Sequence, residues 1–598
     1  MQNKVINDFS ITIATVNGSG SQTANVTLLR ALFKMGIPVS GKNLFPSNIQ
    51  GLPTWYTIRV SKDEFIARRD EQEIVVTLNP VSFSRDLASV QPGGVFFYAD
   101  DIKLPLDRTD ITVYPMPVKQ ISRAANVSQA LRDYIANMVY VGILSNILGI
   151  DLDNIKQALS FHFKGKAEAI ESNFSTIKTA ADWAGGNLKK SDPFTVNPMD
   201  STSGSIMADG NTAAALGSIY GGVQFAAWYP ITPASTLAES LNVYLPQLRK
   251  TPDGKHTYAV IQAEDELAAI GMAIGAGWGG LRSMTSTSGP GISLMAEYAG
   301  LAYYAEVPVV IWDVQRIGPS TGLPTRTSQG DLSEVFFLSH GDKQNIILLP
   351  GSVQECFEFG WKALDLAEQV QAPVFVLSDL DLGMNQWMTK PFEYPDTPIN
   401  RGKVLWESDL EKLNGVWGRY KDLDEDGIPF RTVPGNKHHS AAWLGRGTGH
   451  DEEARYTEDS KAWESNMDRL KLKYDTARTL VPKPEIINAK GATNGIIYYG
   501  STKPAVEEAI ALLKQAGDSK YSSLRLRALP ITAEVQGFIN KHERIYVVEA
   551  NRDGQLKQIL SAMLPDQAPK FQAVCHSDGL PLTAKWVKET ILSLKEKE

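Results

Sequence analysis

The chain has 598 residues, 43% of them hydrophobic and 21% charged, and a formal net charge of -8. This length and composition are typical of a globular protein of three or four domains. Its 59 basic and 67 acidic residues form no long run of either sign, so nothing in the charge pattern indicates nucleic-acid binding. The only two cysteines, Cys356 and Cys575, are far apart, which excludes a disulfide framework and an iron–sulfur cluster ligated by this chain alone.

The apolar segments do not resemble an export signal or a membrane span. Asp8 interrupts the apolar region that a signal peptide needs. The most apolar stretches, residues 267–281 and 138–150, are too short and are interrupted by Gly, Asn or Ser. We therefore expect a soluble cytoplasmic protein whose partners include neither a membrane nor a nucleic acid.

Residues 1–185 are predicted to form a first α/β domain. The β-rich run Ile11–Val16 is followed by the glycine turn 17–21 and by a helical pattern of apolar residues that stops at Gly36. Residues 186–209 are rich in Gly, Ser, Asp and Pro without an apolar period and are predicted to be a linker. The other predicted elements of this domain are strands at Glu73–Leu78 and Gly94–Tyr98 and a helix at Ser128–Leu148.

A second alternation of strands and helices extends over residues 210–382. Its strand candidates are near-continuous apolar runs, which are typical of a parallel sheet that is buried on both faces. Residues 383–482 lose this rhythm and are predicted to be a long irregular excursion, and residues 483–598 to be a last α/β domain. The predicted strands of these two domains end at Tyr229 or cover Tyr258–Gln262, the residues before Thr285, Val307–Trp312, Pro373–Leu377, Gly495–Tyr499 and Arg544–Glu549.

The segment Tyr229-Pro-Ile-Thr-Pro233 lies where a predicted strand ends and a helix begins. This is the crevice in which open parallel sheets bind ligands. Two prolines fix the backbone, and Ser235 is the predicted N-cap of the following helix. The backbone thereby directs Thr232 to the crevice; the alternative is a proline-rich turn that binds no ligand.

Acidic residues follow the next predicted strand, in the segment Ala263-Glu-Asp-Glu-Leu-Ala-Ala269. For Glu264 and Asp265, the ordinary preference for acidic residues at a helix start is a sufficient explanation. Glu266 differs because the helix that follows it contains several small residues. Small residues allow close approach of another backbone or of a cofactor ring. Glu266 is therefore the candidate for a functional carboxyl.

The loop Gln315–Gly330 follows a buried strand and contains two arginines and many hydroxyls, which suits anion binding. Arg316 could donate hydrogen bonds to both oxygens of a carboxylate. Directed hydrogen bonds could also come from the hydroxyls of Thr321, Thr325, Thr327 and Ser328. A solvated surface loop is the alternative. The turn Thr285–Gly291, which contains Ser288 and Gly289, also follows a strand and is by itself only a weak signal of a phosphate loop.

These four segments occupy the carboxyl ends of successive predicted strands, and together they resemble the α subunits of 2-oxoacid:ferredoxin oxidoreductases. The resemblance covers nearly the whole chain and includes Val-Val-Glu-Ala-Asn-Arg-Asp-Gly-Gln-Leu at Val547–Leu556. The segment Asn43–Tyr56 favours the 2-oxoglutarate-specific subtype. The resemblance implies an α/β fold of three doubly wound domains: a γ-like domain (1–185), a thiamine-diphosphate pyrimidine-binding domain (210–382) and a transketolase C-terminal-like domain (483–598).

The resemblance also implies roles for individual residues. Glu266 matches the family's cofactor-activating glutamate, which hydrogen-bonds the aminopyrimidine ring and takes part in proton transfer. Arg316 and Thr325 match positions that bind the 2-oxoacid carboxylate, and Thr232 matches the threonine near the reacting carbonyl. The implied catalytic residues are Glu266, Thr232 and Arg316. The residues expected to contact the cofactor are Glu266, Tyr229, Pro230, Ser288 and Gly289.

Two parts of such an enzyme are missing from this sequence, namely a Gly-Asp-Gly segment followed by Asn ligands for magnesium and a cysteine cluster. The resemblance therefore implies a β subunit that holds the pyrophosphate of thiamine diphosphate, Mg²⁺ and a [4Fe-4S] cluster, in an (αβ)₂ assembly that reduces ferredoxin. No metal site is expected in this chain itself. His438, His439 and His450, which precedes Asp451, are predicted to be solvated loop residues.

Coenzyme A is expected as a second substrate. The first-domain turn departs from the consecutive glycines that the family often carries before Gln, because its sequence is Gly18-Ser-Gly-Ser-Gln22. A contact to coenzyme A is predicted from Gly18, Gly20, Ser21 and Gln22. The alternative is a Gly-Ser-Gly turn that only closes a βα unit.

Two other functions stay open at this point. An enzyme for pyruvate or branched-chain 2-oxoacids would use the same chemistry in a differently lined pocket, and the sequence does not identify the residue that recognises a distal carboxylate. A non-catalytic, coenzyme-binding scaffold subunit would leave the complete site to its partner. The physiological direction, oxidative or carbon-fixing as in the reductive tricarboxylic acid cycle, depends on ferredoxin potential and metabolite levels rather than on sequence.

Overall fold

The computed structural model describes residues 4–46, 51–125, 129–393, 396–414, 416–518 and 520–596. Residues 47–50 of the subtype motif Asn43–Tyr56, and Ser128 at the start of a predicted helix, lie outside the described residues. The chain divides into two compact units. The first comprises residues 1–208, 385–391 and 583–586, and the second comprises residues 209–384, 392–582 and 587–598.

The first unit is built on a six-stranded mixed sheet. Its strand order is β3-β4-β2-β5-β6-β7, in which β2, β5, β6 and β7 are parallel and β4 is antiparallel to both of its neighbours. The elements are β1 (Val5–Ile6), β2 (Asp8–Val16), α1 (Ser21–Lys34), β3 (Val39–Leu44), β4 (Pro53–Ser61), β5 (Ile74–Thr77), α2 (Phe83–Ser89), β6 (Val95–Ala99), β7 (Thr112–Met116), α3 (Val118–Ala124), α4 (Gln129–Ala136), α5 (Met138–Leu148), α6 (Leu152–His162), α7 (Ala167–Asn187), β8 (Phe194–Thr195) and β9 (Ile206–Ala208).

Two sequence-based boundaries differ from the structure of this unit. The helix predicted over residues 128–148 is two helices, α4 and α5, which meet at Asn137. The predicted linker 186–209 contains β8, which pairs in parallel with β1, and β9, which pairs with a strand at Trp387–Thr389. These strands have only two or three residues each, so they show no recognisable period in the sequence.

The second unit contains two further sheets. From Asp209 onward the helices and strands are α8 (Gly210–Tyr220), β10 (Phe225–Trp228), α9 (Ser235–Leu248), β11 (Ala259–Gln262), α10 (Glu266–Trp278), β12 (Ser283–Thr287), α11 (Gly289–Leu294), α12 (Ala296–Tyr304), β13 (Val309–Gln315), α13 (Leu332–Phe336), β14 (Ile346–Leu348), α14 (Val353–Val370), β15 (Pro373–Asp379), α15 (Leu380–Met384), β16 (Trp387–Thr389, in the first unit), α16 (Glu407–Leu413), α17 (Ser460–Leu480), β17 (Glu485–Ile487), β18 (Asn494–Tyr499), α18 (Lys503–Gln515), β19 (Tyr521–Leu526), β20 (Ala528–Leu529), α19 (Ala533–Lys541), β21 (Arg544–Glu549), α20 (Gln555–Met563), β22 (Phe571–Cys575) and α21 (Ala584–Glu596).

The larger sheet of the second unit has the order β11-β10-β12-β13-β15-β14-β20. All of its pairings are parallel except the last, in which β20 runs antiparallel to β14. Every residue of β13 and β15 is buried, as expected for central strands of a sheet covered on both faces. The predicted α/β class is confirmed by this alternation of parallel strands and helices.

A five-stranded sheet of order β17-β19-β18-β21-β22 completes the second unit. One continuous hydrophobic core joins the two sheets and includes Ile311, Phe375, Ile497 and Val547. Since β20 follows β19 and pairs in the larger sheet, the C-terminal segment contributes directly to both. Across the described part of the chain, no helix combines the length and the apolar character that a membrane crossing requires.

Residues 383–482, predicted to be irregular, contain the 21-residue helix α17. The prediction missed this helix because its residues are mostly charged or polar, and only a narrow stripe such as Leu470, Tyr474 and Ala477 is buried. Elsewhere in the segment, Lys403 Nζ lies 2.6 Å from Asp424 and 2.7 Å from Asp426, so that a lysine neutralises the acidic loop.

Buried charges fasten α17 to the larger sheet. Glu306 is fully buried after α12, and its carboxylate accepts hydrogen bonds from Lys473 Nζ at 2.8 Å and from Arg469 Nη1 at 3.1 Å. Burial opposes ionisation of Glu306, but the charges of Arg469 and Lys473 outweigh it and lower the pKa of Glu306 to about 2. One buried carboxylate therefore pairs with two cations of the helix and contributes to its attachment.

Replacement of Glu306 by glutamine should lower the free energy of unfolding at neutral pH by about 3–5 kcal/mol, because Arg469 and Lys473 would stay buried without their counter-charge. Urea unfolding of the full chain measures this loss. The control is Asp475→Asn, which removes the exposed partner of Arg478 on the same helix and should cost less than about 1 kcal/mol. Equal losses from both substitutions would contradict the expectation.

The same variant predicts the pH dependence of this contribution. The folded-state pKa of Glu306 is depressed, so its stabilisation is present above the ordinary pKa of 4.5 and is lost as the pH falls toward about 2. The stability difference between the wild type and Glu306→Gln should therefore shrink between these values. A difference that stays constant over this range would contradict the pairing of Glu306.

Candidate active site

The predicted site segments follow four adjacent parallel strands. The register pairs Trp228 of β10 with Gln262 of β11, and Thr287 of β12 with Asp313 of β13. The carboxyl ends of β11, β10, β12 and β13 therefore lie side by side at one edge of the sheet. This edge is where open parallel sheets place their ligand crevice.

The turn after β10 is closed by its own side chains. Ser235, predicted to be the N-cap of α9, is instead the first residue of the helix, and Ala234 holds the cap position. The Ser235 hydroxyl accepts a hydrogen bond from the Ile231 amide at 3.0 Å, so it fixes the turn rather than the helix end. Tyr229 and Pro230 are exposed and Thr232 is half-buried at this edge.

Arg316 reaches from the end of β13 to the turn after β10. Its Nη1 donates to the backbone carbonyl of Thr232 at 2.7 Å, and the residue is 7% exposed. Burial lowers the pKa of Arg316, while the charges of Asp331 and Glu266 raise it. A guanidinium keeps its charge in proteins, so the structure brings a buried cation, Thr232 and Glu266 into one site. The contact to Thr232 uses its carbonyl, a role that the sequence did not predict.

Glu266 is the first residue of α10 and is 7% exposed. The neighbouring Asp265 is the N-cap, since its side chain accepts from the Ala268 amide at 2.7 Å. A methyl group added at Gly291 would come within 2.8 Å of Glu266 Cγ, so a glycine is required there. No group among the described residues donates a hydrogen bond to the Glu266 carboxyl, which leaves that carboxyl available to a ligand.

The turn after β12 contributes a buried hydroxyl that lacks a hydrogen-bond partner. Ser288 is fully buried, and its Oγ has no hydrogen-bond partner among the described residues. At Gly289, an added methyl group would lie 2.9 and 3.0 Å from the two carboxyl oxygens of Asp331. Gly289 is therefore in contact with Asp331, which the sequence analysis did not single out.

The loop that carries Arg316 is anchored at its far end by the five-stranded sheet. The Gln329 side chain donates to the Tyr499 carbonyl at 2.9 Å and accepts from the Ala550 amide at 2.9 Å. The Gln329 carbonyl accepts from Asn551 Nδ2 at 3.0 Å. Ala550 and Asn551 belong to the segment Val547–Leu556 that the resemblance used, so this segment positions the loop.

The hydroxyls of the loop differ in their burial and in their hydrogen-bond partners. Thr327 and Ser328 bond within the chain, to the Asp381 amide at 3.3 Å and to the Ala550 carbonyl at 3.3 Å. Thr325 is 5% exposed, and its Oγ1 accepts from Arg326 at 3.1 Å. Thr321 is exposed. The hydroxyls nearest the end of the loop thus hold its backbone in place.

A pair of buried carboxyls lies beside the site. Asp313 is 0% exposed in β13, and Asp331 is 9% exposed at the start of α13. Burial, followed by the charge of Glu334, raises the pKa of Asp331 to about 7, and burial together with Asp331 raises that of Asp313 well above its ordinary value. The one sequence signal for this pair is an acidic residue inside the otherwise apolar run of β13.

The turn predicted to contact coenzyme A lies in the first unit. Gly18 and Gly20 have positive φ, and Gly20 is the N-cap of α1. Ser21 is 7% exposed, and its Oγ accepts from Thr15 Oγ1 at 2.8 Å, while Gln22 is exposed. The turn is thus closed by local bonds, and its contact to coenzyme A stays a prediction.

One histidine prediction is wrong. His450 is not solvated, because it is 2% exposed and stacks on Tyr420 with a ring separation of 3.8 Å. Burial lowers the pKa of His450, which favours the neutral ring. His439 is exposed as predicted, and His438 is half-buried with Nδ1 2.7 Å from the Ser440 hydroxyl. None of these contacts forms a metal site within the described loop.

Comparison with known proteins finds a family match in each of the two units. Residues 10–183 match the family described as pyruvate ferredoxin/flavodoxin oxidoreductase, and residues 216–399 match its thiamine-diphosphate-binding family. The α subunit of 2-oxoacid:ferredoxin oxidoreductase 2 from Aeropyrum pernix is 30% identical over 93% of both chains. The 2-oxoglutarate synthase subunit KorA from Methanothermobacter marburgensis is 49% identical over 183 residues, which are 30% of this chain and 47% of KorA.

A solved structure extends the likeness to the whole fold. The 2-oxoglutarate:ferredoxin oxidoreductase from Magnetococcus marinus, solved with 2-oxoglutarate, coenzyme A and succinyl-CoA bound, matches with a TM-score of 0.87 at 30% identity. The match covers 98% of this chain and 99% of that one. The γ-like and thiamine-diphosphate-binding domains of the predicted fold are thereby confirmed. This chain belongs to the α subunits of the 2-oxoacid:ferredoxin oxidoreductases, a family of thiamine-diphosphate-binding enzymes.

Proposed function

We propose that this chain is the α subunit of a coenzyme A-dependent 2-oxoglutarate:ferredoxin oxidoreductase. The reaction converts 2-oxoglutarate, coenzyme A and two oxidised ferredoxins to succinyl-CoA, carbon dioxide, two reduced ferredoxins and a proton, and it is reversible. The observation that carries the proposal is the convergence of Arg316, Thr232 and Glu266 at one strand edge. The 2-oxoglutarate subtype is supported by the likeness to the Magnetococcus enzyme and to KorA.

The residues present fit the aminopyrimidine half of thiamine diphosphate. Glu266 offers a nearly buried carboxyl that no described group hydrogen-bonds, and its Cγ packs closely against Gly291. When bound, the cofactor supplies the nucleophilic carbon and the electron sink for decarboxylation. Glu266 holds and moves a proton at a ring nitrogen. Tyr229, Pro230, Ser288 and Gly289 shape the surrounding pocket.

Arg316 binds the substrate carboxylate in this proposal. A guanidinium can pair with both carboxylate oxygens, and its burial strengthens the interaction because water screens it little. The bond from Arg316 Nη1 to the Thr232 carbonyl fixes the direction of the guanidinium. Thr232 and Thr325 orient the keto group and the carboxylate beside it. These groups provide orientation and a fixed positive charge.

The remaining chemistry requires a partner chain. A β subunit is proposed to hold the pyrophosphate, Mg²⁺ and a [4Fe-4S] cluster, because this chain has neither a Gly-Asp-Gly segment nor a cysteine cluster. The assembly is proposed to be (αβ)₂, to act in the cytoplasm and to exchange electrons with ferredoxin. Gly18, Gly20, Ser21 and Gln22 are proposed to contact coenzyme A. Operation in the carbon-fixing direction of a reductive tricarboxylic acid cycle is compatible with the reversible reaction.

Pyruvate is the second candidate substrate, since the two matching family models are described as pyruvate oxidoreductases. The purified α/β complex should reduce a viologen, with coenzyme A present, at least about tenfold more efficiently with 2-oxoglutarate than with pyruvate or a branched-chain 2-oxoacid, a preference that corresponds to about 1.4 kcal/mol. The measured quantity is kcat/KM for each acid under otherwise identical conditions. A preference for pyruvate would overturn the subtype and leave the family assignment standing.

Glu266→Gln should reduce kcat of the complex by about 10²- to 10⁴-fold, because the amide cannot exchange the proton that the carboxyl moves. The control is Glu264→Gln, which removes an exposed carboxyl from the same turn and should leave kcat within about twofold. Unfolding midpoints of both variants show whether the chain stays folded. Turnover within a few-fold of wild type in Glu266→Gln would favour a non-catalytic scaffold subunit instead.

A further inference from the structure

A cavity of about 200 Å³ lies among α12, residues 339–343, Gly447 and α17. Residues 339–343 precede β14, and α12 precedes β13. Since β13 and β14 both run parallel to β15, the residues that precede them lie at the amino-terminal edge of the larger sheet. The cavity is therefore at the edge opposite Arg316 and Glu266, and the proposed reaction does not use it.

Aromatic and apolar side chains form much of the wall of this cavity. Tyr303 is 8% exposed, and Tyr304 lies beside Trp463 of α17, with the two ring centroids 5.6 Å apart and the rings inclined by 31°. Leu301 and Met467 line the cavity as well. An apolar cavity of about 150 Å³ holds a benzene molecule. This cavity therefore has room for one aromatic ring with a small substituent.

Lys343 adds a cation to the wall of the cavity. Its Nζ donates a hydrogen bond to Oδ1 of Asn345 at 2.7 Å and lies 5.4 Å from the ring centroid of Tyr303. Asn345 is 1% exposed, and its Nδ2 donates to the Val335 carbonyl at 2.6 Å, so the partner of the ammonium group is itself fixed.

The ammonium group of Lys343 lacks a counter-charge. Burial lowers the pKa of Lys343 to about 8, and no neighbouring carboxylate opposes this shift. An opposite charge close to a half-buried cation favours its charged form. An anion in the cavity would therefore supply the counter-charge that the described residues do not provide.

Ser339 offers a second polar contact at the cavity. Its Oγ is buried and has no hydrogen-bond partner among the described residues. A methyl group added at Gly300 would collide with this oxygen, so Ser339 packs directly against α12. A hydroxyl can donate to a carboxylate oxygen. The other ionisable side chains that line the cavity are exposed to solvent, which screens their charge, namely Glu297, His340 and Asp342.

We propose that this cavity binds a small aromatic carboxylate whose carboxylate group pairs with Lys343 and whose ring lies against Tyr303 and Trp463. The Ser339 hydroxyl donates to the second carboxylate oxygen. The site is separate from the strand ends at which the 2-oxoacid is proposed to bind, and it does not depend on that proposal. It also gives a role to the segment 383–482, because Gly447 and Trp463 of this segment complete the wall.

The test uses benzoate as the probe and isothermal titration of the full chain at neutral pH. Benzoate should bind at one site with a Kd on the order of 1 mM, as expected for a ligand of its size. Benzamide has the same shape without the charge and should bind at least about tenfold more weakly, because it cannot pair with the ammonium group. Equal affinities for the two probes, or no saturable binding of benzoate, would overturn the inference.

Lys343→Met should weaken benzoate binding at least about tenfold and leave benzamide binding within about twofold, because it removes the cation and keeps most of the apolar stem. The matched control is Lys471→Met, which removes an exposed lysine of α17 that does not line the cavity. This control should leave the affinity for benzoate within about twofold. An unchanged affinity in Lys343→Met, or an equal loss in both variants, would overturn the inference.

Trp463→Ala keeps the inference testable if Lys343→Met fails to fold. Trp463 is 51% exposed, so its replacement should leave the chain folded. Its loss removes one wall of the ring site and should weaken the binding of both probes about three- to tenfold. Arg316→Gln tests whether benzoate binds at the strand ends instead, and it should leave the affinity unchanged. Full affinity in Trp463→Ala, or lost affinity in Arg316→Gln, would overturn the inference.

Discussion

The site depends on the parallel register of four strands. Because Trp228 pairs with Gln262 and Thr287 pairs with Asp313, the strands β10 to β13 end at one edge of the larger sheet, and the segments that follow them begin at that edge. Main-chain pairing therefore brings the segments that carry Thr232, Glu266 and Arg316 to the same edge of the sheet. The prolines and the Ser235 hydroxyl then fix the backbone of the turn that carries Thr232, and Gly291 allows Glu266 to pack closely against the turn after β12.

Two buried carboxyl groups of the second unit have pKa values that are shifted in opposite directions. Glu306 is surrounded by cations, and its pKa falls to about 2, although burial lowers the pKa of its partner Lys473 to about 8. Burial, followed by the charge of Glu334, raises the pKa of Asp331 to about 7. The first arrangement stabilises a fixed ion pair over a wide pH range. The second leaves a group that can change its charge near neutrality, which is a property of functional sites more often than of structural ones.

The sequence predicted those features whose cause is local. The strand Arg544–Glu549 was predicted with its observed bounds, and β13 was found from its apolar run, because a buried strand shows its character within a few residues. The strands β14 and β20 were missed because they have only three and two residues, and their partners β15 and β14 are distant or too short to show in the sequence. The helix α17 was missed because its buried stripe is narrow and part of its attachment comes from ion pairs with the distant Glu306.

The same distinction applies to the site. Thr232, Glu266 and Arg316 could be selected from short motifs, whereas Gln329 could not, because its partner Ala550 is 221 positions away. Contacts between residues so far apart in the sequence tie the position of the loop to that of the five-stranded sheet. Any shift of the five-stranded sheet relative to β13 would break the bonds of Gln329 to Tyr499, Ala550 and Asn551, all of which are buried. Each broken bond leaves a buried polar group unpaired at a cost of about 1–3 kcal/mol. The loop that begins at Arg316 therefore keeps its position only while both sheets of the second unit move as one, and the geometry of carboxylate binding is tied to the integrity of the C-terminal segment.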